Sequence, residues 1–328
     1  MSDLERVQES QEKVERIVNE VKRVIVGQEE VIEGVVIAIL CNGHVLLEGL
    51  PGLGKTLLVK SFSQVLSLRY SRIQFTPDLM PADITGTNII MQGEDGRRFF
   101  EFQKGPIFAQ IILADEINRA TPKTQSALLE AMQEQKVTVA GVTYELGIPF
   151  FVLATQNPIE MEGTYPLPEA QVDRFFFKLK VEHPARSELR EIVNRTTIRE
   201  LPTLNKVIDE AELRRVQLLV RKIPVASHVV DYATRLVLAT QPHSSFAIPR
   251  VKKYVRYGSS PRGVQALISA AKAKAFRERR FNASFGDVRE VTLPSLRHRI
   301  LLNFEGETEE TDVDELVKDV IQLIPERS

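Results

Sequence analysis

The chain has 328 residues, 43% apolar and 27% charged, which suits two folded domains of ordinary composition and excludes extended disorder. Its 43 basic and 44 acidic side chains leave a formal charge of -1, which excludes a polycationic binder but not local basic patches. The one cysteine, Cys41, excludes an internal disulfide and any multi-cysteine metal site. The start MSDLERVQES lacks an apolar leader core, and no apolar run approaches the roughly 18 residues of a membrane span, so a cytoplasmic chain is expected.

Residues 4–40 carry apolar side chains at spacings of three and four, Leu4 and Val7 through Val24 and Ile25 among them, and predict helix interrupted at Gly27. His44 to Glu48 reads as a short apolar strand running into a glycine-rich turn. Leu57, Leu58, Phe62 and Leu66 mark the helix beyond it. Two hairpins are expected to interrupt the strand–helix alternation. The first pairs Thr87–Met91 with Arg97–Phe102 around Asp95-Gly96, and the second pairs Lys136–Ala140 with Thr143–Leu146 around Gly141. Ile107–Leu113, Ile148–Ala154 and Phe175–Val181 are short apolar runs of the kind buried on both faces of a parallel sheet. Thr121-Pro122 predicts an N-cap and first-turn proline, with Ala127, Leu128, Ala131 and Met132 on one face of the helix that follows.

After Ser187 strand signals fade, and helices broken at Pro202, Pro224, Pro242 and Pro261 are expected. The segment Glu305–Glu315 is acidic and leads into an amphipathic helix over Val313–Leu323. The expected organisation is α/β: a parallel sheet covered by helices over 1–185, then an all-α domain over 186–328.

Gly49 to Thr56 reads GLPGLGKT, the phosphate-loop pattern between a strand and a helix. Its glycines let backbone amides converge on phosphate oxygens, and the helix that follows points its positive end at them. Lys55 is expected to reach the β and γ phosphates and the Thr56 hydroxyl to ligate Mg2+. The run Ile111–Glu116 delivers two carboxylates at the carboxyl end of an apolar strand, where ligands sit in open α/β sheets. Asp115 is expected to hold the metal, directly or through water, and Glu116 to orient and deprotonate the attacking water. That second acid favours hydrolysis over simple nucleotide binding.

In FVLATQNP, Asn157 could hydrogen-bond the γ-phosphate or the lytic water, or Asn157-Pro158 could be a plain turn. Arg174 could pair locally with Asp173 or Glu169, or reach a neighbouring subunit's γ-phosphate. Ser259–Gly263 opens a helix whose Arg262 is expected to report on the nucleotide from above. The stretch from Arg250 to Arg280 carries ten basic residues, one acid and interleaved tyrosines. It reads either as a solvated helix face with subunit contacts or as the nucleic-acid surface of a motor or loader.

The order of these elements resembles the AAA+ ATPases, and the wording of the motifs resembles the MoxR family in particular. The strings that carry the likeness include VIVGQEEV (24–31), HVLLEGLPGLGKT (44–56), QFTPDLMPADITG (74–86) and a long run over 105–139. FVLATQNPIEMEGTYPLPEAQVDRFFFKL (151–179), SSPRG (259–263) and LPSLRHRI (293–300) complete it, so the likeness runs from about residue 10 to residue 302. The resemblance implies an AAA+ core with inserted hairpins followed by a lid. It implies that Val26 and Gly27 line an adenine pocket and that Pro51, Gly52, Leu53, Gly54, Lys55, Thr56 and Leu57 hold ATP or ADP. It further implies Asp115 and Glu116 as the Walker B pair, Asn157 as sensor 1, Arg174 as a finger acting in trans, and Arg262 as sensor 2. Rings, usually hexamers, are implied too, with chaperone-like action on protein clients and von Willebrand factor A-domain partners. Nucleic acid is not among the partners it implies. Two segments depart from the family pattern, the basic aromatic stretch before Arg262 and Asn282–Val288.

Overall fold

Five short strands make the central sheet, and their burial follows from composition. Val45–Glu48 (β1), Ile111–Asp115 (β5) and Phe151–Gln156 (β8) are apolar almost throughout and nearly or fully buried, so they take the middle. Tyr70–Gln74 (β2) is polar except for Ile73 and takes one edge, and Phe177–Lys180 (β9) takes the other. The order is β2-β5-β8-β1-β9 with every neighbour parallel. The computed structural model describes residues 3–92, 94, 97–158, 163–198 and 202–326.

Side chains alternate between two cores, as a strand period of two requires. Val45, Leu47, Ile111, Leu113 and Phe151 face the helices Asp3–Lys22 (α1), Glu29–Leu40 (α2) and Lys55–Val65 (α3). Leu46, Ile112, Ala114 and Val152 face Pro122–Glu134 (α5) and the short helix Pro81–Thr85 (α4). The first core continues without a break into the helical second half. There Glu210–Lys222 (α8), Ser227–Ala239 (α9), Pro261–Arg277 (α11), Phe285–Leu296 (α12) and Val313–Leu323 (α14) pack around Leu267, Phe276 and Tyr232. Glu169–Val172 (α6), Arg186–Val193 (α7), Pro249–Tyr254 (α10) and Phe304–Thr308 (α13) complete the helices of the described residues.

The first hairpin pairs Gly86–Gln92 (β3) with Arg98–Lys104 (β4), and its Asp95-Gly96 turn lies outside the described residues. The second pairs Lys136–Val139 (β6) with Val142–Glu145 (β7) through Ala140 and Gly141, both at positive φ (49° and 81°).

Five details differ from expectation. The apolar run from Ile107 starts as a 3-10 turn over Pro106–Phe108, so β5 begins only at Ile111. The Ile148-Pro149 bond is cis, and β8 begins after it at Phe151. Strand β2 carries no continuous apolar signal because an edge strand needs only one buried side chain. The helical half also holds a small antiparallel pair, Val255–Tyr257 (β10) with Leu301–Leu302 (β11). Thr121 does precede α5, but its hydroxyl meets the Thr124 hydroxyl at 3.3 Å rather than a backbone amide.

Candidate nucleotide site at the carboxyl edge of the sheet

Because the strands are parallel, β1, β5 and β8 end at the same edge and deliver three segments side by side: residues 49–54, Asp115-Glu116 and Gln156-Asn157. The Gly49 amide donates to the Gln156 carbonyl at 3.2 Å and fixes the start of the loop against β8. Gly52 and Gly54 sit at φ +82° and +78° with open space where a Cβ would stand. Backbone conformation, not crowding, therefore demands glycine there. Pro51, Gly52, Gly54 and Thr56 are exposed, and Leu53 and Leu57 are half-buried.

Lys55 opens α3 and is only 9% exposed, with Nζ donating to the Gly49 carbonyl at 2.6 Å. Burial pulls its amine below the usual lysine value, while the carboxylates of Asp115 and Glu116 pull it back up. The two acids, at the end of strand β5, thus lie close enough to act on its charge.

Asp115 and Glu116 are held by a network that crosses three strands. Thr155 on β8 donates its hydroxyl to Asp115 Oδ1 at 2.7 Å and accepts the Glu116 amide at 2.8 Å. Arg72 on β2 donates to Asp115 Oδ2 through Nη2 at 2.6 Å and Nε at 3.1 Å. Glu116 has left-handed backbone (φ 57°, ψ 50°), a strained state for a residue with a side chain. Its Oε2 accepts from Arg119 Nη1 at 3.0 Å and from Gln74 Nε2 at 3.2 Å. Asn157 is buried beside this network at 6% exposure.

Thr155, Arg72, Gln74 and Arg119 carry no signal in the sequence reading. Thr155 could have been found inside FVLATQNP as the hydroxyl two residues before Asn157. Arg72 and Gln74 depend on the pairing of β2 with β5, which no local pattern reveals.

Val26 and Gly27 link α1 to α2 and are half-buried. Gly27 sits at φ +68°, a conformation that favours glycine, and only the flexible carboxylate end of Glu188 lies close to it. Gln28 Nε2 donates to the Leu53 carbonyl at 3.0 Å and ties this link to the phosphate loop.

Arg174 and Arg262 lie elsewhere. Arg174 precedes β9, whose first residue Phe177 pairs with Val45 at the start of β1. It therefore sits at the amino edge of the sheet, a strand length from the chain's own loop. Its Nη1 donates to the Leu129 carbonyl. Arg262 lies beside it, with Nη1 3.5 Å from Asp173 Oδ2. Arg262 thus stands away from the chain's own phosphate loop. Ser260 and Asp173 tie the start of α11 to the amino edge instead, with Oγ 2.9 Å from Oδ2. Both arginines line a cavity of about 330 Å3 there.

The basic stretch is largely paired within the chain. Arg250 meets Asp319, Lys253 meets Glu305 and Glu309, Arg277 meets Glu33, and Arg280 meets Asp287.

Comparison with known proteins fits this geometry. Residues 44–177 match the ATPase family associated with various cellular activities (AAA), and residues 248–320 match the AAA lid domain. Chaperone MoxR1 of Mycobacterium tuberculosis is 44% identical over 95% of this chain and 81% of its own length. YeaC of Bacillus subtilis is 40% identical over 94% of this chain and 93% of its own. MoxR of Paracoccus denitrificans is 32% identical over 85% of this chain and 86% of its own. A crystal structure of a candidate ATPase from Cytophaga hutchinsonii has a TM-score of 0.91 at 39% identity, covering 98% of this chain and 97% of that one.

Proposed function

The chain belongs to the MoxR family of AAA ATPases, and on that premise we propose a ring-forming ATPase that hydrolyses ATP with Mg2+ to remodel or assemble client protein complexes. The observation that carries this reading is the convergence of Lys55, Asp115 and Glu116 at one edge of the sheet while Arg174 and Arg262 stand at the other. A chain built this way holds only part of a hydrolytic site at each edge, and a second copy would complete it.

In this reading the loop from Pro51 to Leu57 binds the phosphates, with Val26 and Gly27 beside the adenine. The Thr56 hydroxyl and the Asp115 carboxylate are hard oxygen donors that suit Mg2+. An ion held by these two oxygens would supply positive charge to offset that of the phosphates. Glu116 takes the proton of the attacking water, and Asn157 orients that water or the γ-phosphate. Arg174 and Arg262 reach the γ-phosphate of the neighbouring subunit and balance the charge that develops there. Among the described residues no helix is long and apolar enough to cross a membrane. We further propose that the polypeptide divides at 185/186 into core and lid, that the ring is a hexamer in the cytoplasm, and that clients or partners include von Willebrand factor A-domain proteins.

The alternative of a nucleic-acid motor loses its main support, because Arg250, Lys253, Arg277 and Arg280 already have carboxylate partners. DNA-stimulated turnover that weakens steeply with salt would restore it. The central test is Glu116→Gln. It should bind ATP with near wild-type affinity while turnover falls at least about 10²-fold. Wild-type turnover in that variant would overturn the assignment.

A further inference from the structure

Where the helical half touches the amino edge of the sheet, two guanidiniums and a hydroxyl hold one carboxylate, and a third arginine lines the same cavity. Asp173 Oδ1 accepts from Arg299 Nε at 2.9 Å and from Ser260 Oγ at 3.2 Å. Oδ2 accepts from the same hydroxyl at 2.9 Å and from Arg262 Nη1 at 3.5 Å. Arg174 is the next residue in the chain. The other titratable groups lining the cavity are Cys41 and His44, both kept neutral by burial, so the lining has two more positive than negative charges. That surplus suits a phosphate chain.

The three arginines differ in how firmly they are held. The Arg299 side chain is 3% exposed and donates to the Phe175 carbonyl at 2.7 Å, the Phe176 carbonyl at 3.3 Å and the Ser295 carbonyl. His298 Nε2 adds a second bond to the Phe175 carbonyl at 2.9 Å. These bonds fasten α12 to the turn before β9 whether or not Asp173 carries a charge. Arg262 is 45% exposed, and its contact with Asp173 is the longest of the set, so its guanidinium is free to leave for a better anion. Asp173 thus has one fixed partner and one movable partner, and it sits in the chain directly beside a third arginine.

We propose that Asp173 is a positioning residue: anchored by Arg299, it aims Arg262 of the lid alongside Arg174 of the core so that both meet one phosphate of a neighbouring subunit. The proposal rests on the reading of both arginines as acting in trans. It adds that their alignment is set by a single carboxylate bridging core and lid, and it accounts for the LPSLRHRI segment, which no phosphate chemistry otherwise explains.

The test compares Asp173→Asn, Asp173→Glu, Arg262→Ala and the double variant Asp173→Asn/Arg262→Ala. A fluorescent ATP analogue should still bind all four, because the phosphate loop lies across the sheet. In Asp173→Asn, kcat should fall by about tenfold to 10²-fold with little change in KM, as expected when a charged group is misaimed. Asp173→Glu should restore part of the loss. On the Arg262→Ala background, Asp173→Asn should cost no more than about twofold further, because both changes disable the same arm. Fully additive losses would show that Asp173 serves only the fold and would overturn the proposal. Should Asp173→Asn fail to fold, Asp173→Ser, a smaller side chain without the charge, carries the test, and a wild-type kcat in it overturns the proposal equally. The underlying reading fails separately: it falls if Arg174→Ala and Arg262→Ala both keep normal turnover. Only the positioning role falls if those two lose turnover while Asp173→Asn does not.

Discussion

His44 sits buried just before β1, with Nδ1 accepting the Val152 amide at 3.1 Å and Nε2 donating to the Met132 carbonyl at 3.2 Å. Both ring nitrogens are engaged by the neutral form, and burial lowers its pKa from 6.5 to about 4. Between those values the unfolded chain binds a proton that the native chain does not. Stability is therefore full above about pH 6.5 and declines as the pH falls toward 4, by about 3 kcal/mol for this group. Buried His298 is shifted the same way. Urea unfolding should show that decline between pH 7 and 4.5, and His44→Gln should flatten it; parallel curves for the two proteins would refute the assignment. Lys55 is the contrasting case, a buried cation whose carbonyl partner Gly49 comes from its own loop. Lys55→Ala should abolish measurable nucleotide binding while leaving the fold intact, and unchanged affinity in a titration would remove the phosphate-loop argument. At this scale the sequence was readable where the chemistry is local, as in Lys55, Thr56, Asp115 and Glu116. Arg72 was not readable, because it reaches Asp115 from 43 positions away in the chain.

The two hairpins are joined by aromatic packing rather than by strand pairing alone. Phe102 on β4 stacks on Tyr144 of β7 with centroids 4.1 Å apart, and Phe108 meets Phe102 edge-on at 5.7 Å. Beyond this triad β3 and β4 extend into solvent, with Ile90, Phe99 and Phe100 exposed. An isolated two-stranded hairpin is marginal in water, so the triad must supply much of its order. Phe102→Ala should cost about 1–3 kcal/mol in hairpin stability through lost burial and stacking. Amide exchange along β3 and β4 should accelerate while nucleotide affinity stays unchanged; unaltered exchange would show that the strands hold themselves. Both hairpins were legible because the glycines in their turns stand out between alternating segments. Strand β2 was not, since YSRIQ buries one side chain and resembles a loop, and the antiparallel pair β10–β11 is too short to leave any period.

For the whole molecule, near-neutral charge conceals charges that are placed and largely paired within the chain. The acidic C-terminal segment is part of the lid core, with Leu316, Val317 and Val320 buried, Asp314 pairing with Lys180 and Arg297, and Asp319 pairing with Arg250. The carboxyl edge carries the phosphate loop with Asp115 and Glu116, each paired with an arginine of its own chain, and the amino edge carries Arg174 and Arg262. Two unlike edges on one chain suit a head-to-tail contact, which closes into a ring when the rotation allows. On this reading Arg174→Ala lacks a finger but keeps a phosphate loop, and Lys55→Ala lacks the loop but keeps the finger. Each alone should be nearly inactive. Mixed in equal amounts and allowed to exchange subunits, about a quarter of the contacts would join an intact loop to an intact finger. ATPase activity should then recover to a comparable fraction of wild type, and light scattering should show an assembly well above the monomer mass. A mixture no more active than its parts, despite proven exchange, would mean that Arg174 works within its own chain, against the distance that the parallel sheet sets between it and Lys55.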